Sequence, residues 1–156
     1  MYSQKSKMEK LKKTFEDYGF EDFELLCKEF DLLSIEFEKM DFLNSFVRIV
    51  INRSRRFGDY VTPFFIPSGF YASIIQGHVK EKEIIIEAKD LYKELMINYH
   101  EGLKVEFGSE KEQLKYLKDY IKNYFVLKKR VLKLLDTCQD VFKNLEEKKD
   151  EKGYLG

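Results

Sequence analysis

The sequence has few of the residues that build metal sites and disulfide frameworks. It contains two cysteines, Cys27 and Cys138, without metal-ligand spacing, and we expect two reduced thiols used as small core residues. Its two histidines, His78 and His100, are 22 residues apart, whereas a helical zinc site needs two histidines about four apart. The sequence therefore predicts no metal site.

Phosphate loops, net charge and long apolar runs are also missing. The eight glycines are scattered, and none has the spacing of a phosphate-binding loop, so we predict no cofactor. The 28 basic and 28 acidic residues cancel, whereas a protein that coats nucleic acid non-specifically needs excess positive charge. No apolar run approaches the roughly 18 residues of a membrane span, and we find no secretory signal. We therefore expect a cytoplasmic protein without a membrane partner.

Apolar residues recur three and four positions apart along most of the chain, as in helices that bury one face. Capping-box spacing predicts helix starts at Ser6 with Glu9 and at Ser109 with Glu112, and Gly19 predicts an end. The predicted helices cover residues 6–18, 21–55, 68–101 and 109–145. We expect an all-α antiparallel helical bundle of one short and three long helices, in one domain over 1–145, with a frayed charged tail at 146–156.

The three long helices would each be about 50 Å long at 1.5 Å per residue, and the first helix is too short to cover that length. Either the connection at 56–67 or a second chain must then cover part of their apolar surface. Self-association is therefore one expectation from the helix lengths alone.

Four of the five arginines fall within nine residues, namely Arg48, Arg53, Arg55 and Arg56. The separations of Arg48, Arg55 and Arg56 place these three close to one face of a continuous helix. A guanidinium group holds a carboxylate or a phosphate through two parallel hydrogen bonds. Either the cluster binds acidic groups of a partner, or its members pair with acidic residues of their own chain and stabilise the end of the helix.

The connection that follows the arginines is apolar, and Pro63 and Pro67 stiffen it. Either it folds back over the helix ends, or it forms an exposed patch used for association. Arginine and aromatic residues are both enriched in the cores of protein interfaces. The large apolar residues of the connection are Phe57, Tyr60, Val61, Phe64, Phe65 and Ile66.

The leading hypothesis is a non-enzymatic binding module that contacts an acidic partner, or itself, through the bend at 48–67. Besides the four arginines, Tyr60, Phe64 and Phe65 are its candidate contacts.

The second hypothesis is nucleic-acid binding by the same arginines and by lysines of the last predicted helix, beside which aromatic residues could stack on bases. For those lysines we favour a solvated face, because Glu110, Glu112 and Asp119 interrupt them. The candidate lysines are Lys115, Lys118 and Lys122, and the tyrosines beside them are Tyr116, Tyr120 and Tyr124.

The stretch Arg48-Ile-Val-Ile-Asn52, with Gly58-Asp59 and Thr62-Pro63-Phe64, resembles a helix end and turn in the translin family. That resemblance implies an all-helical, oligomeric protein that binds nucleic acid. Some members of the family cleave RNA with clustered acidic residues, and the resemblance makes Asp59 a candidate catalytic acid. Glu21 and Glu24 lie too near Asp59 in sequence to match the glutamates of the family's earlier helix. An enzyme is therefore the third hypothesis, and we favour a protein without catalytic activity.

Overall fold

The structure is a computed structural model that describes residues 4–35 and 41–151, the last six by their backbone alone. The described residues contain no strand. Two short 3-10 turns, Leu32–Ser34 and Thr62–Phe64, follow the second and third helices. The predicted all-α fold class is confirmed. The six α-helices are α1 (Gln4–Asp17), α2 (Phe23–Phe30), α3 (Phe42–Val61), α4 (Gly69–His78), α5 (Lys82–Glu106) and α6 (Glu110–Glu151).

Two of the four predicted helices are each divided into two. The helix predicted over 21–55 is interrupted at Asp31, whose φ of 49° is left-handed and ends α2. The helix predicted over 68–101 is interrupted at Val79, which has an extended backbone. Apolar periodicity continues across the interruption at Asp31, which is why it did not reveal that break, whereas Gly77 and His78 interrupt the pattern just before Val79. Positions 36–40 of the predicted second helix lie outside the described residues.

The end of α1 confirms the predicted stop at Gly19, whose φ is +67°. The N–H of Gly19 donates to the carbonyl of Glu16 at 2.9 Å, and the N–H of Phe20 donates to the carbonyl of Phe15 at 3.0 Å. The rings of Phe15 and Phe20 lie 4.9 Å apart between centroids. This is a Schellman ending, with its usual apolar contact across the turn. The predicted start at Ser6 is wrong, because α1 already includes Gln4.

The start of α6 confirms the capping box predicted at Ser109 and Glu112. The N–H of Ser109 donates to Glu112 Oε2 at 2.7 Å, and the N–H of Glu112 donates to Ser109 Oγ at 3.3 Å. Ser109 Oγ also donates to Glu112 Oε2 at 2.8 Å, and the two hydrogen bonds that Ser109 donates to this carboxylate lower its pKa. At its other end α6 continues to Glu151, into the predicted tail, whose residues 152–156 lie outside the described ranges.

The chain divides into two compact units. Unit 1 comprises Met1–Arg53 and Tyr99–Lys122, and unit 2 comprises Ser54–Asn98 and Asn123–Gly156. Unit 1 has a core rich in phenylalanine: the ring centroids of Phe20, Phe30 and Phe42 all lie within 5.9 Å of that of Phe46. In unit 2, α5 buries Ala88 and Leu91 completely, and α6 buries Tyr124 and Leu127 completely.

Gly102 lies inside α5 rather than beyond its end, which corrects the predicted boundary before this residue. A Cβ atom at Gly102 would lie 2.6 Å from Tyr116 Oη and 2.6 Å from Ile51 Cγ1. Both neighbours belong to unit 1 and are buried. The glycine therefore permits close packing within unit 1, and α5 ends four residues later, at Glu106.

Candidate protein-binding surface

Arg48 is engaged within unit 1 at the end of α5. Its Nε donates to Glu106 Oε1 at 2.6 Å, and Glu106 is the last residue of α5. Asn44 Nδ2 and Gln113 Nε2 donate to the main-chain carbonyl of Glu106 at 3.0 Å and 3.3 Å. Side chains from α3 and α6 therefore satisfy both the carboxylate and the carbonyl at this helix end. Arg48 still leaves 52% of its side chain exposed, whereas Glu106 leaves 17%.

Arg53 is also engaged within unit 1. Its Nη2 donates to the main-chain carbonyl of Glu29 at 2.7 Å, and its Nη1 lies 3.9 Å from Glu29 Oε1. The guanidinium carbon lies 5.8 Å from the ring centroid of Phe30. Arg53 thus stabilises the end of α2, the helix that contains both of these residues.

Arg55 and Arg56 belong to unit 2 and are exposed. Arg56 Nη2 donates weakly to Tyr60 Oη at 3.3 Å. Neither arginine forms an ion pair with an acidic residue in the described ranges, and Asp59, one turn after Arg55, is exposed and forms none there either. Internal pairing therefore accounts for Arg48 and Arg53, while Arg55 and Arg56 have charged groups available for a partner.

The predicted helix end at 55 is wrong, because α3 continues to Val61, and most of the apolar residues of the predicted connection pack into unit 2. Phe64 is 2% exposed, Phe57 stacks on Tyr124 with 6.0 Å between ring centroids, and Phe65 is half-buried against Tyr92. Phe64, a predicted contact residue, is therefore part of the core of unit 2 rather than of its surface. Tyr60, another predicted contact residue, is exposed.

The sequence interpretation missed an uncharged run that continues into α4. From Tyr60 to Val79 the chain contains no Asp, Glu, Lys or Arg, although 36% of all its residues are charged. Within this run Phe70 is 82% exposed, and Ile66 and Tyr71 are also exposed. The absence of charge over this length is a signal that was readable in the sequence, but periodicity alone did not show it.

Helix α4 is held firmly within unit 2 although Phe70 is exposed. Gln76 Nε2 donates to the carbonyl of Pro63 at 3.0 Å, and the ring of Tyr71 stacks on Phe142 with 5.5 Å between centroids. Tyr71 is partly covered, and this partial burial, followed by a hydrogen bond between its hydroxyl and the thiol of Cys138, raises the pKa of Tyr71 to about 12. The exposure of Phe70 is therefore a property of an anchored helix, which gives it a fixed position on the surface.

The lysines predicted to bind nucleic acid lie in unit 1. Lys115 is exposed, Lys122 Nζ lies 3.8 Å from Asp119 Oδ1, and Lys118 Nζ lies 5.8 Å from the ring centroid of Phe20. The three tyrosines beside them in sequence are buried, so their rings do not offer a stacking surface. These tyrosines are Tyr116, Tyr120 and Tyr124.

Arg130, the one arginine outside the cluster, has the most ion pairs among the described arginines, and the sequence interpretation gave it no role. Its Nε lies 2.7 Å from Glu87 Oε1 and its Nη1 lies 2.5 Å from Glu94 Oε2. Asn123 Nδ2 donates to Glu94 Oε1 at 2.9 Å. The hydrogen bond to Glu87 raises the pKa of Arg130. Glu87 and Glu94 are two helical turns apart, a spacing that brings both carboxylates to one face of α5.

Neither an activated cysteine nor a metal-binding group of side chains is present among the described residues. Cys27 and Cys138 are both buried free thiols, and burial raises the pKa of each, which disfavours the reactive thiolate. In the described ranges no three His, Cys, Asp or Glu residues are grouped so that they could hold a metal ion. Asp59 therefore lacks, in that part of the chain, the acidic cluster that a translin-like site needs.

Comparisons with known proteins point to no function. None of the helices in the described ranges is long and apolar enough to cross a membrane. The chain matches no protein-family model, and neither a curated protein nor a solved structure matches it.

Proposed function

We propose that this protein is a non-enzymatic binding module that contacts another protein, or a second copy of itself, through unit 2. The contact region, here called the 55–70 surface, consists of the exposed residues Arg55, Arg56, Asp59, Tyr60, Ile66 and Phe70. The observation that carries the proposal is the 82% exposure of Phe70 at the start of an anchored helix.

Phe70 is the energetic centre of the proposed contact. Burying a phenylalanine side chain contributes about 1.5–3 kcal/mol relative to leaving it in water. Because α4 is already anchored through Gln76 and Tyr71, the backbone that carries Phe70 needs no further ordering when a partner covers the ring. Hot spots of protein interfaces are typically large side chains at the centre of the contact, surrounded by residues that exclude water. Ile66 and Tyr60 are the neighbouring exposed apolar residues in the chain.

Arg55 and Arg56 supply specificity to the same surface. Their guanidinium groups have no carboxylate partner in the described ranges, so a partner's acidic groups can reach them without first displacing an internal ion pair. Exposed charges of this kind mainly accelerate encounter and select the partner, and they contribute less to affinity.

Site-specific photo-crosslinking tests the proposal. A photoreactive phenylalanine analogue is placed at position 70 and, as a matched control, at Phe107 of unit 1, which is 89% exposed. After irradiation in cells that contain the protein, position 70 is expected to give a discrete protein adduct that position 107 does not give. Equal labelling at the two positions would contradict the proposal. An adduct that nuclease treatment removes would support nucleic-acid binding instead.

A further inference from the structure

We infer that the occupant of the 55–70 surface is a second copy of this chain, and that Arg55 of each copy pairs with Asp59 of the other across a two-fold axis. The inference rests on the proposed function and names its partner. Two-fold contacts use the same patch on both copies, so the patch must be complementary to itself.

Arg55 and Asp59 give the patch this self-complementarity. They are exposed and stand one helical turn apart on α3, a spacing at which opposite charges can pair within a helix. Neither forms an ion pair in the described part of the chain. A two-fold axis beside this turn brings Arg55 of each copy to Asp59 of the other, so the dimer contains two such pairs. A purely acidic partner would satisfy Arg55 but would oppose Asp59.

The charged pair and the apolar residues belong to one continuous, hydrogen-bonded segment. Thr62 Oγ1 donates to the carbonyl of Asp59 at 3.1 Å, and the N–H of Ile66 donates to the carbonyl of Thr62 at 2.8 Å. Phe70 follows in the first turn of α4. In the inferred dimer, Ile66 and Phe70 of both copies form the apolar part of the contact and the Arg55–Asp59 pairs form its charged part, which is the usual composition of a protein interface.

The charge of the whole molecule also favours a second copy. The formal net charge at pH 7 is zero, with 28 basic and 28 acidic residues. Copies of such a chain do not repel one another at long range, whereas a large net charge of one sign keeps molecules apart.

A charge-exchange experiment tests the inference by analytical ultracentrifugation over a wide concentration range. Wild type is expected to dimerise. R55D places two acids side by side and D59R places two arginines side by side, so each variant alone should raise the dimer Kd by at least about tenfold through like-charge repulsion. An equimolar mixture should recover dimers, because the two acids of one copy then face the two arginines of the other.

Matched controls separate this pairing from general effects of charge. K12D in unit 1, where Lys12 is exposed on α1, changes the net charge by the same amount as R55D and should leave dimerisation unchanged. D136R in unit 2 changes the net charge by the same amount as D59R. It should also leave dimerisation unchanged, since Asp136 is exposed on α6. Unchanged helical circular dichroism of all four variants would show that each still folds.

Three outcomes would overturn the inference: a wild type that stays monomeric near millimolar concentration, single variants that behave like their controls, or a mixture that remains monomeric. Its failure is distinguishable from that of the proposed function. A position-70 adduct with a different protein, together with a monomeric wild type, would contradict the inference that a second copy is the occupant. The proposal that the protein is a binding module would then still hold. The absence of a specific adduct at position 70 would remove both.

Discussion

Arg48 and Arg53 lie in surroundings that differ from those of Arg55 and Arg56, although all four occupy the same helix, α3. The first two belong to unit 1 and donate to Glu106 and to Glu29. The last two belong to unit 2, are exposed, and form no ion pair in the described ranges.

The difference shows that a cluster in the sequence need not be one site. In unit 1, arginine side chains complete the ends of α2 and α5, and a glycine makes room for a buried tyrosine. In unit 2, side chains of α3 and α4 remain in solvent beside a hydrogen-bonded scaffold. We expect substitutions in the first setting to change stability and substitutions in the second to change association.

The largest expected effect tests packing. Gly102→Ala should lower the free energy of unfolding by about 1–2 kcal/mol, because overpacking against Tyr116 and Ile51 outweighs the gain in helix propensity. Gly77→Ala is the matched control in α4, where an added Cβ would have no neighbour within 4 Å. This control should leave stability unchanged or raise it by up to about 1 kcal/mol. Urea denaturation measures both variants, and stabilisation by Gly102→Ala would contradict the close packing.

A smaller effect separates Arg53 from Arg56. Arg53→Met should lower the free energy of unfolding by about 1–2 kcal/mol, because the carbonyl of Glu29 loses a charged donor. Arg56→Met should change it by less than about 0.5 kcal/mol, as expected for an exposed side chain. Thermal and urea unfolding at low protein concentration provide the measurement. An equal loss of unfolding free energy in the two variants would mean that Arg53 and Arg56 do not differ in their contribution to stability.

The smallest effect is a coupling energy. A double-mutant cycle of Arg48→Met with Glu106→Gln should give about 0.5–1 kcal/mol, since Arg48 is half exposed and solvent screens the pair. The matched cycle, Arg55→Met with Asp59→Asn, should give no measurable coupling in dilute monomer. It should acquire coupling only at concentrations where copies associate. Strong coupling of Arg55 with Asp59 in the monomer would remove the difference between the two pairs.

Local signals in the sequence predicted the fold class and several helix ends. The capping box at Ser109 and the stop at Gly19 were predictable because the partners of each lie within a few residues. The interruption at Asp31 was not, because a left-handed aspartate leaves the apolar periodicity intact. At Gly102 the error is the reverse, because a helix end was predicted where α5 continues. A glycine in a helical pattern signals either an end or a close approach, and only the position of Tyr116 decides between them.

The residue types of the candidate site could be predicted from the sequence, but not which of those residues are paired or buried. The partners of Arg53 and Arg48 are 24 and 58 residues away in sequence, so no local pattern indicates which arginines are paired. Burial of Phe64 likewise depends on contacts made after folding. The uncharged run over Tyr60–Val79 was readable from the start, because its composition differs from that of the remaining chain.

Because Tyr71 of α4 contacts Cys138, the reactivity of the Cys138 thiol reports on the opening of α4. The thiol is buried, and burial raises its pKa, so a thiol reagent reacts slowly while α4 stays in place. Each transient opening of α4 that exposes Cys138 would permit labelling, and the labelling rate then measures the free energy of that local opening rather than of global unfolding. A partner that covers Phe70 and holds α4 closed would slow this reaction, so occupancy of the surface could be followed at a native side chain, with no label engineered into the chain.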